Sequence, residues 1–291
     1  MNSKIAFAIS DEFPNLTDDD RLAADALGKR GLGVEPVLWD GKDVDWSAYS
    51  TVIIRSCWDY HNRVGEFYEW LQRLDEQGAS VWNPTEILRW NMEKTYLSDL
   101  EGRGALVLPS RWLPRRADVT LASLLQDQGW EQAVIKPIIS AAADQTFLIT
   151  RESAQTHQEK FDALLQQGGM IVQEFAKEIQ GQGEWSLIFF DKQYSHAVLK
   201  QPKPGDFRVQ LHFGGTVQPA PPSAELITQA REILDKVEGD LLYARVDAVE
   251  RQGRLHLMEL ELIEPLLFFE FHPQAPARFA ATLVKHLAVK E

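Results

Sequence analysis

Three carboxylates lie in an apolar run near the C-terminal end of the chain. The run is "HLMELELIEP", residues 256–265, and it contains Glu259, Glu261 and Glu264. Met258 is the first of several apolar residues that alternate with Glu259 and Glu261, and this period of two predicts a strand with one apolar and one acidic face. Because like charges side by side on a sheet repel, the acidic face needs solvent or a bound cation.

A second predicted strand, "LLYARVDAV", precedes this one, and the intervening "ERQGR" has the composition of a hairpin turn. A turn about Gly253 places Asp247 opposite Glu259, with Glu261 pointing the same way. Such carboxylates suit Mg²⁺ or Mn²⁺, which keep positions for water and substrate phosphate. The alternative is a solvent-facing strand with acidic decoration.

The composition narrows the class of protein. The 291 residues include 30 basic and 43 acidic ones, a net charge of −13, and 44% are hydrophobic. This charge, without a polybasic run, argues against binding to nucleic acid or to anionic membranes. The single cysteine, Cys57, excludes an internal disulfide framework, and no apolar run approaches the about 20 residues of a membrane span. The first apolar stretch is too short for a signal sequence, so we expect a cytoplasmic protein.

The first part of the chain has the pattern of an α/β domain. "KIAFAIS", "VEPVLW" and "STVIIRSCW" are predicted strands, and "DDRLAADALGKRG" is a predicted helix. This order predicts a parallel sheet, in which ligands bind beyond the carboxyl ends of the strands. Five residues follow such strand ends and are predicted to line a substrate cleft: Ser10, Asp11, Arg55, Trp58 and Tyr60.

The pattern changes to α+β after the first domain, with "QAVIKPII", "MIVQEFA" and "EWSLIFF" as strands. Lys136 lies in the first of these, where burial of an ammonium group requires a nearby anion. The next loop, "ISAAADQT", has small residues that let backbone amides approach a phosphate. Lys94, Lys200 and Arg208 are further cations, each of which could simply be a surface charge.

Together these cations, the small-residue loop and the acidic patch are what a magnesium–nucleotide site requires. The sequence has no "GxxxxGK" P-loop and no protein-kinase "HRD" or "DFG" motif. A nucleotide-binding fold of another kind is therefore predicted.

The order of these features resembles the ATP-grasp ligases from about Lys94 to the end of the chain. The resemblance rests on "VIKP", on "VQEF" before "GEWSL", on "KPGDFRVQ" followed by "GG", and on "RVD" followed by "MELE". It implies an ATP-grasp fold, of mixed α/β and α+β class, with a small N-terminal α/β (pre-ATP-grasp) domain. The implied parts are a substrate domain at 1–92, a lid subdomain at 93–180, and a C-terminal subdomain with the metal-binding carboxylates at 181–291.

The resemblance also implies roles for individual residues. The phosphates would be held by four cations, Lys94, Lys136, Lys200 and Arg208. Adenine and ribose would be bound by Gln173, Glu174, Phe175 and Glu184. The metal ligands would be Asp247, Glu259 and Glu261, with Glu261 where the family usually has Asn. Arg208 and Arg245 would be catalytic, because they would stabilise the charge on the transferred phosphoryl group and on the acyl phosphate.

Several motifs, including "RSCWDY", "SHAVLKQPKPGDFRVQ" and "MELELIEP", resemble the branch of this family that closes O-ureido-D-serine to D-cycloserine. That likeness implies ATP and Mg²⁺ or Mn²⁺ as cofactors, an acyl phosphate intermediate, a role in antibiotic biosynthesis, and a homodimer. The amine would come from the same molecule or from a second amino acid. The alternatives are a small-molecule kinase and a nucleotide-binding regulator without turnover.

An amino-acid substrate needs an anion for its ammonium group and a cation for its carboxylate. Asp11 or Asp59, together with Arg55, would provide these charges. The structural alternatives are packing roles for Trp58 and Tyr60 and an ion pair between Arg55 and Asp59.

Overall fold

The computed structural model describes residues 4–141 and 143–289. In this part of the chain the β-strands are β1 (Lys4–Ile9), β2 (Gly33–Leu38), β3 (Thr51–Ile54), β4 (Val81–Trp82), β5 (Ser110–Leu113), β6 (Gln132–Pro137), β7 (Phe147–Thr150), β8 (Met170–Glu174), β9 (Glu184–Phe190), β10 (Gln193–Gln201), β11 (Thr216–Pro219), β12 (Tyr243–Arg251) and β13 (Arg254–Glu261).

The α-helices in the same ranges are α1 (Asp18–Gly28), α2 (Val64–Glu76), α3 (Thr85–Met92), α4 (Tyr96–Gly102), α5 (Leu121–Gln128), α6 (Ala154–Gln167), α7 (Glu178–Gly181), α8 (Ala224–Leu234) and α9 (Ala275–Val289). Among the helices so described, none is both long and apolar enough to cross a bilayer.

The first sheet is parallel, as predicted, with the order β2-β1-β3-β4. Ile5 and Phe7 pack towards α1 and α9 on one face, whereas Ala6 and Ala8 pack towards α2 on the other. Because helices cover both faces, β1 is apolar throughout instead of alternating.

The second sheet is antiparallel, with the order β5-β8-β6-β7, and α5 and α6 cover it. The third sheet, β11-β10-β9-β12-β13, is also antiparallel and packs against α4 and α8. Tyr96, Leu97 and Leu100 of α4 thus join the core of the third sheet, although the sequence assigns them to the lid. The boundaries at residues 92 and 180 stay a prediction.

Strands β12 and β13 form the predicted hairpin. Its two turn residues, Gln252 and Gly253, have φ of 54° and 75°, and positive φ at both positions is what a two-residue type I′ hairpin turn requires. The register places Asp247 opposite Glu259, as predicted. Arg245 lies opposite Glu261.

Strict alternation along β13 was a wrong prediction. The register shifts next to Asp247, so that Ala248 pairs with Leu257 and Met258 is the extra residue of a β-bulge. Met258 therefore lies beside Glu259 along the cleft described below, and not with Leu260 in the core.

The long Pro- and Gly-rich segment after β10 is not a plain loop, because it contains the edge strand β11. The loop before this strand folds back closely on itself. A Cβ on Gly215 would lie 2.2 Å from the carbonyl oxygen of Val209. This close approach explains why glycine is needed there.

Candidate active site

A cleft of about 380 Å³ lies between the second and third sheets and reaches the loop after β3. Most of the predicted site residues line it: Trp58, Tyr60, Lys94, Lys136, Gln173, Glu174, Phe175, Glu184, Lys200, Arg208, Arg245, Asp247, Glu259 and Glu261. Three do not: Ser10, Asp11 and Arg55. The convergence of residues from both sheets is a structural fact, whereas the role of each residue stays a prediction.

Asp247 is the most buried of the three predicted metal ligands, with 3% of its surface exposed. Its carboxylate lies 2.9 Å from Arg245 Nη2 and 3.4 Å from Lys200 Nζ, and Lys200 also pairs with Glu184. Burial acts to raise the pKa of Asp247, but Arg245 and Lys200 outweigh it and lower the pKa to about 2. Asp247 is therefore ionised at neutral pH.

Glu259 faces cations from other elements. Its carboxylate lies 3.0 Å from Lys94 Nζ. Burial opposes ionisation, but Lys94 and Lys136 outweigh it and lower the pKa of Glu259. Lys94 also donates a hydrogen bond of 2.7 Å to the carbonyl of Ser140, in the predicted small-residue loop. Ala142 of that loop lies outside the described residues.

Glu261 pairs with Arg245. Burial raises the pKa of Glu261 to about 7; Arg245 opposes this rise, and the charges of Asp247 and Glu259 add to it. Glu261 is thus a much weaker acid than Asp247. Its extra charge relative to Asn is offset by Arg245.

Lys136 differs from the other buried lysines of the cleft. It is 9% exposed, and across the described ranges its ammonium group has neither a hydrogen bond nor an ion pair. Burial lowers its pKa, an effect that Glu259 opposes and Lys94 strengthens. A buried ammonium without a partner is costly unless an anion compensates it, so the predicted contact of Lys136 with phosphate is consistent with its environment and stays a prediction.

We therefore expect Lys136→Met to raise the free energy of unfolding of the ligand-free protein by about 1 kcal/mol, since an unpaired buried charge is replaced by an apolar chain of similar length. The same change should weaken binding of a non-hydrolysable ATP analogue at least about tenfold, because a charge-assisted contact to phosphate is lost. Thermal unfolding and calorimetric titration measure the two effects. The exposed Lys42→Met is the matched control, and a destabilised variant with unchanged nucleotide affinity would contradict this role.

The predicted adenine region has apolar walls that the sequence did not reveal, formed by Leu108, Val134, Ile179 and Met258. Val134 and Met258 are the first residues of the motifs "VIKP" and "MELE", but neither motif showed that they face the cleft, and the apparent alternation of Met258 hid its position. The amides of Glu174 and Phe175 donate to the carbonyls of Pro109 and Gln132, and are therefore not free to bind a base.

Arg208 lies at the mouth of the cleft, in the loop after β10. Its Nη2 is 2.9 Å from Asp206, and its guanidinium carbon lies 3.7 Å from the ring centre of Phe213. The loop itself holds this side chain, so contact with a triphosphate would require Arg208 to leave Asp206.

Arg55 is engaged away from the cleft, which argues against its predicted contact with substrate. It is 3% exposed, its Nε donates to Asp20 at 2.7 Å, and its Nη2 lies 3.6 Å from Asp19. The predicted alternative, an ion pair with Asp59, is wrong, because Asp59 instead binds Arg63. Helix α1 turns Asp19 and Asp20 inward, and this packing decides the partner of Arg55.

Ser10 and Asp11 also lie off the cleft, Ser10 buried and Asp11 exposed. Trp58 and Tyr60 do line it. The indole Nε1 of Trp58 donates a 2.9 Å hydrogen bond to the backbone carbonyl of Glu264, which joins the first domain to the segment after β13.

The cleft lies between two antiparallel sheets, and a parallel α/β domain precedes them in the chain. Carboxylates on a hairpin and lysines from both sheets line the cleft. This is the architecture of an ATP-grasp protein. The chain belongs to this family: the family model described as prokaryotic glutathione synthetase, ATP-grasp domain, matches residues 115–270. Residues 5–83 match the model described as D-cycloserine synthetase DcsG, N-terminal domain. The chain is also similar to the cycloserine biosynthesis protein DcsG of Streptomyces lavendulae, with 28% identity over 272 residues, 88% of this chain and 90% of that protein.

Solved structures of ATP-grasp proteins have the same fold as this chain. The crystal structure of D-cycloserine synthetase DcsG superimposes with a TM-score of 0.88 at 26% identity, covering 98% of this chain and 99% of that one. D-alanine–D-alanine ligase from Bacillus anthracis complexed with ATP, at 12% identity, has a TM-score of 0.69 over 98% and 97% of the two chains, and shows the fold alone. The predicted family and fold class are confirmed, and the chain is an ATP-grasp ligase.

Proposed function

We propose that this ligase joins a carboxylate to an amine on an amino-acid-like substrate, using ATP and Mg²⁺ or Mn²⁺. One observation carries the proposal. The unpaired ammonium of Lys136 enters the cleft from the second sheet, and the carboxylates of Asp247 and Glu259 enter it from the third. Facing cations and carboxylates suit a phosphate chain with its metal ion. The similarity to DcsG favours ring closure within one molecule and a role in antibiotic biosynthesis.

The first step would be attack of a substrate carboxylate oxygen on the γ-phosphorus of ATP. A new P–O bond forms, the bond to the β-phosphate oxygen breaks, and the products are an acyl phosphate and ADP. Lys94 and Lys136 would hold the phosphates, with Lys200 and Arg208 closing on them. Their positive charges would stabilise the charge that develops on the transferred group.

In the second step the amine nitrogen would attack the acyl carbon. The C–N bond forms, the C–O bond to phosphate breaks, and the amine loses a proton as inorganic phosphate leaves. Arg245 lies beside Asp247 and along the same cleft, where it would stabilise the negative charge of the acyl phosphate. No protein nucleophile is needed.

The residues fit a hard divalent cation by the chemistry of their donors, which are carboxylate oxygens throughout. Asp247, Glu259 and Glu261 would hold the ion, which would neutralise phosphate charge. Across residues 4–141 and 143–289 no three acidic, His or Cys side chains are already grouped to hold a metal. Lys94 and Arg245 instead neutralise these carboxylates, and would turn to the phosphates when a metal replaces them.

The test is Mg²⁺-dependent release of ADP and free phosphate from ATP, measured with a panel of amino acids and their D-enantiomers that includes O-ureido-D-serine. We expect one compound to stimulate equal release of both products. ADP formation without free phosphate would indicate a kinase that leaves the phosphoryl group on its product. ATP binding without any stimulated turnover would refute the ligase reaction for this substrate class.

A further inference from the structure

Among the described residues, six acidic side chains line the cleft, and five of them pair with a protein cation: Glu174, Glu184, Asp247, Glu259 and Glu261. Glu264 is the sixth. Within the part of the chain that the structure describes, its carboxylate has no ion pair and no hydrogen bond to another side chain. An unpaired carboxylate in a partly enclosed cleft is a binding group for a cationic ligand.

Glu264 lies where the first domain meets the third sheet. Its backbone carbonyl accepts the hydrogen bond from Trp58, and the Trp58 ring packs edge to face on Phe13, with 5.0 Å between ring centres. Tyr60 lines the same end of the cleft. Burial raises the pKa of the Tyr60 phenol, and the charge of Glu264 adds to the rise, as expected for close neighbours.

The charged form of Glu264 is only partly compensated. Burial raises its pKa to about 8 and the charge of Glu261 adds to this, whereas Lys94 and a hydrogen bond from the residue's own backbone amide only partly oppose the rise. A bound cation would supply the missing charge.

The two carboxylates that the sequence suggests for a substrate ammonium group are not in place to bind it. Asp59 accepts a hydrogen bond from Trp39 and pairs with Arg63, and Asp11 is exposed and lies off the cleft. Glu264 alone among these acidic residues is both in the cleft and unpaired.

We propose that Glu264 binds the ammonium group of an amino-acid substrate, in a subsite whose wall is formed by Trp58 and Tyr60. The proposal rests on the proposed function for its choice of an amino-acid ligand. It adds a specificity-determining residue: Glu264 selects acids that carry an amino group and orients them so that the carboxylate points towards the phosphate-binding lysines.

The experiment is a calorimetric titration of the full chain loaded with Mg²⁺ and a non-hydrolysable ATP analogue. The probes are O-ureido-D-serine and D-serine, each compared with the same acid lacking the α-amino group. Wild type should bind the amino compounds more tightly than their desamino partners. Glu264→Gln should weaken binding of the amino compounds about tenfold or more, with little change for the desamino acids. Glu264→Asp should restore part of the loss, and the exposed Glu270→Gln is the matched control.

Equal losses for amino and desamino acids in Glu264→Gln would overturn the proposal, as would failure of the wild type to bind any amino compound. A raised Mg²⁺ requirement without a change in amine preference would make Glu264 a metal ligand instead. Failure of the proposed ligase reaction can be distinguished from failure of the Glu264 subsite. Amine-dependent binding that requires Glu264, without stimulated phosphate release, would leave the subsite standing and refute the ligation chemistry.

Discussion

Glu259→Gln will lower Mg²⁺-dependent ADP formation by about a thousandfold or more, equal to roughly 4 kcal/mol of transition-state stabilisation. Glu259 is ionised, because Lys94 and Lys136 lower its pKa, and it lies directly opposite Asp247 on the hairpin. Glutamine keeps the size of the side chain but removes its charge. The substitution would therefore remove a predicted metal ligand and also leave Lys94 without its ion-pair partner.

The measurement is steady-state release of ADP over a wide range of Mg²⁺ concentrations, with the stimulating substrate present. The matched control is Glu250→Gln, farther along the same hairpin and outside the cleft, which should retain wild-type turnover. Circular dichroism should show that both variants fold. Near-normal turnover by Glu259→Gln at the same Mg²⁺ concentration would refute the assignment of Glu259 as a metal ligand.

Arg55→Met will destabilise the protein by about 3–5 kcal/mol, because it leaves buried carboxylates without their cation. The guanidinium binds Asp20 and lies near Asp19, while its Nη2 also donates to the carbonyl of Pro265. Asp19 in turn accepts hydrogen bonds from the amides of Leu267 and Phe269. The network therefore holds the first sheet to the segment that follows the β12–β13 hairpin.

Urea unfolding and the thermal midpoint measure this effect. Arg21→Met is the control, since Arg21 is about half exposed and pairs with Asp18 on the surface, so its loss should cost less than about 1 kcal/mol. A substrate-binding role for Arg55 would have a different signature. In that case Arg55→Met would raise the KM for the amino acid while leaving the unfolding transition unchanged.

Local chemistry predicted much of the site. The period of two in β13 and the turn at Gly253 predict Asp247 opposite Glu259, and this pair is present. An unbroken register from the two-residue turn would instead pair Asp247 with Met258, so the bulge at Met258 is what brings Glu259 opposite Asp247. Lys136 is identified as unusual because it lies in an apolar strand. The roles of the other site residues were suggested by family resemblance, which rests on the order of the motifs in the sequence.

Other features escaped prediction because they depend on distant contacts. The bulge that turns Met258 towards the cleft, where Glu259 also lies, arises from pairing between strands. The residue pattern of β13 does not predict it. Substrate residues inferred from strand ends were only partly placed correctly, since Trp58 reaches the cleft and Arg55 does not.

By itself the sequence determined the parallel first sheet and the acidic hairpin, because backbone periodicity and turn chemistry act between near neighbours. The cations that face the hairpin come from distant parts of the chain, and family resemblance in the order of the motifs suggested them. Tertiary structure alone decided which charges are paired. Arg55 pairs with Asp20, 35 positions away in the sequence, and Asp19 accepts a hydrogen bond from the amide of Leu267, 248 positions away. Among the residues that the structure describes, the same packing leaves the carboxylate of Glu264 without an ion pair. Ion pairing depends on distances of a few ångströms between elements, and only the folded arrangement of all three sheets sets those distances.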